Sequence, residues 1–377
     1  MDTEQKSGLL VAVGDVAPCR SRPETMFAHL TDALTQGDLL FGQLETNVTE
    51  GGARAPHAKL AMRTPLDNGK AIQRAGFGVM SFAGNHCLDW GEEGFRDTLH
   101  AMTELDIPVC GAGPDISAAR RPVIVACGDL KLAFLAYSSI LPEGYAATQS
   151  RPGCAPLRAH TTYEMIEPDQ PGTKPRILTS PHRQDLADMV QDIEAAKRVA
   201  NLVLVSVHWG IHITPVEIAD YQYDIAHAAI DAGASAVLGH HPHILKAVEF
   251  YKGCPIFYSM GNFAIEQPQV FDPDITKAPS FKHLISLHPD KPPEGLYVLP
   301  EDTRMTMIVE LSLNESGVTE TRIRPCWIED DSAPHLLSPD DPKFSRIASY
   351  LREITHKLGL LLHTERVGDR LVLSETR

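Results

Sequence analysis

The chain has 377 residues, and its 34 Lys and Arg against 49 Asp and Glu leave a formal net charge of −15. With 43% hydrophobic residues it can bury a large core, which excludes a disordered or collagen-like chain, and its acidity excludes a nucleic-acid binder that works by bulk charge. No apolar run approaches the roughly 18 residues of a spanning helix, and the first residues lack the basic stretch of a signal peptide, so a cytoplasmic chain with no membrane segment is expected.

Short apolar runs alternate with helical patterns along the chain. A strand over Gly8–Val13 is followed by apolar residues at helical spacing within Glu24–Thr35, then a strand at Asp38–Leu44, a helix at Asp67–Ala75 and a strand at Phe77–Phe82. A helix over Glu92–Leu105 leads to a short strand at Ile107–Cys110, and Pro122–Cys127 with Lys131–Tyr137 reads as a hairpin around Gly128-Asp129. Helices at Asp185–Ala200 and Ile218–Ala232 alternate with strands at Asn201–Val207 and Ala236–Leu238, and Ile244–Phe250 pairs with Ile256–Ser259. Met305–Leu313 and Val318–Pro325 suit antiparallel strands, and the tail holds a helix over Lys343–Leu358 before an apolar-polar end at Leu360–Leu373. This alternation predicts an α/β fold with a largely buried sheet. Residues 141–181 and 266–301 are rich in Pro and irregular, and read as functional loops or lids. Residues 1–326 are expected to form one domain, because motifs on both sides of each insertion belong to one site. Residues 327–377 are expected to pack on it as an extension, with Leu360–Leu362 as an alternative contact for a homodimer.

The seven scattered cysteines include no CxxC pair and read as reduced, structural thiols, whereas six of the 17 histidines fall between His208 and His243. Five polar motifs each follow a predicted strand: Gly14-Asp15, Glu45-Thr46-Asn47, Gly84-Asn85-His86 with Asp89, His208-Trp209-Gly210, and Gly239-His240-His241-Pro242-His243. In an α/β sheet such ends open onto one crevice. The donors are oxygens and imidazoles without thiolates, a set that suits one or two divalent ions of Mn, Zn or Fe. Each residue alone has a plainer reading: Asp15 or Asp89 as a helix cap, Glu45 as a surface acid, Asn85 as a turn residue, His208 as a core histidine, and Arg20 as a solvated cation. The run of three histidines at 240, 241 and 243 is the hardest to bury without ligation or hydrogen bonding.

The same residues carry a family resemblance. Gly14-Asp15-Val16-Ala17-Pro18-Cys19-Arg20, Leu44-Glu45, Gly84-Asn85-His86 with Asp89 and Gly91, His208-Trp209-Gly210, Gly239–His243 and Tyr258-Ser259-Met260-Gly261-Asn262-Phe263 resemble the CapA/PgsA-type family. That family is named for capsular poly-γ-glutamate synthesis and lies within the calcineurin-like metallophosphoesterase superfamily. The resemblance implies a four-layer α/β/β/α metallophosphatase-like sandwich. It places Asp15, Glu45 and His243 at one metal and Glu45, Asn85, His208 and His241 at a second, with Glu45 bridging. It makes His86 the acid for the leaving group, oriented by Asp89. Two departures stand out: the superfamily's Asp-x-His becomes Asp15-Val16-Ala17, and the bridging aspartate becomes Glu45. Arg20 is the cation expected to fill the gap left by the missing histidine and to hold an anionic substrate. His212, His240 and Asn262 are expected to support the ligands or the substrate. The implied activity is a hydrolase or transferase in which metal-activated water attacks a phosphoester or a γ-glutamyl-like amide of a small anionic or peptide-like substrate. The alternative is a non-catalytic accessory protein of capsule-polymer synthesis.

Overall fold

The computed structural model describes residues 6–290 and 297–375. Two β-sheets pack face to face, and helices cover the outer face of each, which makes the four layers of an α/β/β/α sandwich. The first sheet runs in the order His363–Val367, Arg370–Ser374, Gly317–Ile328, Met305–Asn314, Ser7–Ala17, Leu39–Leu44, Phe77–Ser81 and Val109–Cys110. Its last four strands are parallel, so their carboxyl ends lie together. The second sheet is parallel through Leu130–Ser138, Leu202–His208, Ala236–His240 and Cys254–Phe257, with an antiparallel hairpin strand at either edge.

Period-two alternation sorts the second sheet's side chains between two cores. Phe134, Ala136, Leu204 and Leu238 face the first sheet. Leu135, Tyr137, Val205 and Val237 face the helices Arg183–Ala196 and Asp220–Ala232. Phe41 and Phe134 stack across the gap with ring centroids 5.2 Å apart, one from each sheet. On the far side of the first sheet, helices Leu66–Arg74 and Gly91–Glu104 bury Ile72, Phe95 and Met102.

Several expected elements change form. The segment read as helical over Glu24–Thr35 is a 3₁₀ turn at Pro23–Thr25 and one helical turn at Thr31–Leu34, with Met26, Phe27 and Leu30 buried from the irregular stretch between them. Those apolar residues serve burial without needing a continuous helix. Within 141–181 an antiparallel hairpin, Ala159–Glu164 with Arg176–Pro181, stands largely in solvent. Within 266–301 lie short helices at Pro268–Phe271 and Pro279–Ser286, while 291–296 fall outside the described residues.

The tail is woven into the sandwich. Helix Pro342–Lys357 buries Phe344, Ile347, Leu351 and Ile354 in the main core, and the final hairpin extends the first sheet through Gly317–Ile328. Leu362 is buried and Leu360 half-buried, so of the three leucines offered for a dimer contact Leu361 alone is exposed.

Candidate metal centre

The carboxyl ends of the two parallel sets meet at one end of the sandwich. The first sheet brings Asp15, Glu45 and, on the turn after Phe77–Ser81, Asn85; the second brings His208, His241 and His243. Asp15 is the parallel partner of Asn262, whose short strand Asn262–Ile265 lies against the end of Ser7–Ala17. Close backbone approach makes this possible: a Cβ on Gly14 would sit 2.0 Å from the Gly261 carbonyl oxygen, so glycine alone fits.

Ligand atoms converge in two groups that share one carboxylate. Glu45, His208 and His241 form the first, and Asp15, Glu45 and His243 the second, each with its ligand atoms within 4.8 Å of one another. In the first group His208 Nε2 lies 3.1 Å from His241 Nδ1, 2.6 Å from Asn85 Oδ1 and 3.8 Å from Glu45 Oε1. Ligands about 2.1 Å from a tetrahedral ion sit roughly 3.4 Å apart, so the spacing suits a small divalent cation. In the second group His243 lies 3.8 Å from Asp15 through Nδ1 and 4.0 Å from Glu45 through Nε2.

The polar accounting of the site also calls for a cation. Among the described residues, neither carboxylate oxygen of the buried Glu45 meets a basic or amide hydrogen-bond donor, an expensive arrangement for an acid facing the Asp15 acid. Burial, then the neighbouring Asp15 charge, pushes the Glu45 carboxyl well above its usual range. Burial also pushes the imidazoles of His208, His212 and His241 well below 6.5, which favours their neutral form. Burial would raise Asp15, but the hydrogen bond from His240, with that ring's electrostatic pull, holds it below its ordinary value. Glu45, the imidazoles and Asn85 thus fit divalent ions in residue type, spacing and unmet bonding.

Neighbouring groups fix these donors. His240 Nδ1 sits 2.9 Å from Asp15 Oδ1, and the His241 amide donates to Asp15 Oδ2. Asn262 Oδ1 lies 2.8 Å from His243 Nδ1, which directs Nε2 toward Glu45. The His212 ring lies against that of His241 with centroids 3.9 Å apart. His241 and His243 hold φ of 96° and 60°, a backbone region that non-glycine residues rarely occupy and that clusters at functional sites.

His86 lines a cavity of about 690 Å³ together with Asn85, His212, His241 and His243. Its Nδ1 is 2.6 Å from Asp89 Oδ2. The buried Asp89 carboxylate is itself held by the Met62 amide at 2.8 Å and the Tyr145 hydroxyl at 3.0 Å. Tyr145 went unread in the sequence, because it lies in an irregular segment whose pattern carries no signal of its tertiary partner. Arg20 is the departure. Its guanidinium donates to Glu266 Oε1 at 2.5 Å, Thr25 Oγ1 at 3.2 Å and the Asp331 carbonyl at 2.7 Å, and it does not line the cavity. The expectation that it fills the gap beside Asp15 is corrected: Glu266, unseen as its partner in the sequence, takes that charge.

Among the described residues, no helix is long and apolar enough to cross a membrane. Residues 9–267 match the family model described as bacterial capsule synthesis protein PGA_cap. The PGA biosynthesis protein CapA of Bacillus subtilis is 28% identical over 246 residues, 65% of this chain and 57% of that protein. The capsule biosynthesis protein CapA of Bacillus anthracis is 26% identical over 275 residues, 70% of this chain and 61% of the relative. A probable polyglutamine synthesis accessory protein of Mycobacterium tuberculosis is 32% identical over 237 residues, 60% of this chain and 56% of the relative. The matched region thus spans about three fifths of each of these relatives. With more than half of its length matched by the family model, the chain belongs to the bacterial capsule synthesis protein family, of CapA type.

Proposed function

We propose that the chain is a metal-dependent hydrolase that cleaves a phosphoester or amide at the joined ends of its two sheets. The observation that carries this reading is Glu45: buried, facing Asp15 with no basic or amide donor among the described residues, and shared by both ligand groups. Asp15, Glu45 and His243 would hold one divalent ion, and Glu45, Asn85, His208 and His241 a second; bound there, such ions polarise the reacting oxygen and acidify a water molecule. Water adds to phosphorus or carbonyl carbon as the bond to the leaving oxygen or nitrogen breaks. The attacking water releases a proton to solvent; His86, in its imidazolium form with Nδ1–H on Asp89, gives its Nε2 proton to the leaving atom, and solvent then returns a proton to Nε2. Asp89, fixed by Met62 and Tyr145, sets the ring's tautomer and aim.

A rival reading, an accessory protein without turnover, draws on the name of the mycobacterial relative. One experiment separates the two. The purified chain is equilibrated with Mn, Fe or Zn, its metal content measured, and phosphoesters and γ-glutamyl amides offered as substrates. At least one ion per chain and turnover of one class are expected, with His86→Ala keeping the ion and losing about 10²–10⁴-fold in rate. A chain that takes up no divalent ion overturns the metal centre, and a bound ion without any turnover favours the accessory reading.

A further inference from the structure

We infer that the substrate carries an apolar acyl or alkyl chain next to the scissile group, rather than a run of carboxylates. The inference rests on the hydrolase reading and names its substrate class. The cavity beside the ligand cluster is about 690 Å³, within the range of small-molecule sites. Beside Asn85, the histidines and a few other polar residues (Lys59, Asp89, Ser139, Asn262, Glu266 and Ser280), its walls are apolar: they include Leu60, Met62 and Leu141, and Phe271, Leu284 and Leu287 from the 266–301 insertion. Helix Pro279–Ser286 packs Phe281 and Ile285 on Tyr297, Leu299 and Ile328, while Leu284 stays half-buried and the following Leu287 is 42% exposed. A ligand in the cavity would cover this apolar surface.

The charges of the lining point the same way. Among the described residues, Lys59 is the one lysine or arginine on it, and it lies in the exposed stretch at the rim. His57, also exposed, faces Glu143 at 3.6 Å. The lining carboxylates are engaged, Glu266 by Arg20 and Asp89 by His86, Met62 and Tyr145. Successive glutamate carboxylates would have to leave water against leucine and phenylalanine with one lysine to meet them, which burial of charge disfavours. A hydrocarbon chain loses nothing there, and each methylene it buries strengthens binding up to roughly fourfold.

The test uses alkylphosphonates of one, four and eight carbons and a γ-glutamyl tetrapeptide. In one arm, calorimetry on the Mn-loaded protein reads their affinities. In a second, the metal-stripped protein is filled with the fluorescent apolar dye N-phenyl-1-naphthylamine, and its displacement is followed. Octylphosphonate is expected to bind at least tenfold more tightly than methylphosphonate, to outcompete the tetrapeptide, and to displace the dye. Leu284→Asp, and independently the surface change Leu287→Ser, are expected to erase the chain-length gain. Affinity independent of chain length in both arms, or tighter binding of the tetrapeptide, overturns the inference. Chain-length dependence in the dye arm with no Mn-dependent binding of the phosphonate head overturns the hydrolase reading and leaves the apolar cavity standing.

Discussion

Lys246 shows how a single residue outside the ligand set supports the site. It is 1% exposed, and its ammonium donates to the carbonyls of Thr214 and Glu217, pinning the loop that carries His212. Burial pulls its pKa from 10.5 to about 7, against the opposing pull of the Glu217 charge. Between those values the unfolded chain binds the proton that the folded chain has released, so stability rises with pH across that window. Below about pH 7 both states are protonated and the penalty is present in full. Wild-type stability is therefore expected to gain on Lys246→Met from pH 7 to 10, by at most about 1.4 kcal/mol per pH unit. Urea unfolding of both proteins at pH 6, 7, 8.5 and 10 reads the difference, and a gap constant across the series would refute the burial argument.

At the scale of elements, the tail is where the chain's pattern left an alternative open: packing on the core, or a dimer contact through Leu360–Leu362. Pro342–Lys357 carries apolar residues at helical spacing, and Asp341 caps it by accepting from the Lys343 amide. Its Leu351 is fully buried in the core shared by both sheets. Leu351→Ala is expected to cost about 2–5 kcal/mol of unfolding free energy, whereas Leu361→Ala, on the exposed link to the last hairpin, changes it by under about 0.5 kcal/mol. Chemical denaturation measures both, and equal small effects would mean that the tail packs independently of the sandwich.

The whole molecule joins two sheets at their carboxyl ends, and the ligand set is drawn from both. An ion held between Asp15 and Glu45 on one side and His208, His241 and His243 on the other would bind the folded sandwich and not the open chain. At a hundred times its dissociation constant such an ion adds about 2.7 kcal/mol. Protein stripped with EDTA is expected to melt several degrees lower than the same protein returned to Mn or Zn. Glu45→Gln, which weakens both ligand groups at once, is expected to abolish most of that shift. Identical melting temperatures for stripped and reloaded wild type would count against ions that bridge the sheets.

Much of this was legible along the chain. Strand–helix alternation predicted the α/β class, and the polar residues just after the strands predicted which side chains gather, because parallel strands deliver their ends to the same edge. That reading placed Asp15, Glu45, Asn85, His208, His241 and His243 together, and the folded chain brings their ligand atoms within reach. What adjacency in sequence does not encode is which distant group satisfies which charge. Arg20 read as a free cation because its partner Glu266 lies 246 residues away, and only the packed strand Asn262–Ile265 brings that acid alongside. Tyr145 on Asp89, 56 residues apart, and His240 on Asp15, 225 apart, are also contacts that local pattern does not encode. Local pattern determines elements and the residue types at their ends, because periodicity and turn chemistry act over a few residues. Charge pairing, the apolar cavity and the tail's place in the core were decided by tertiary structure, because each depends on segments that meet only after the two sheets close on one another.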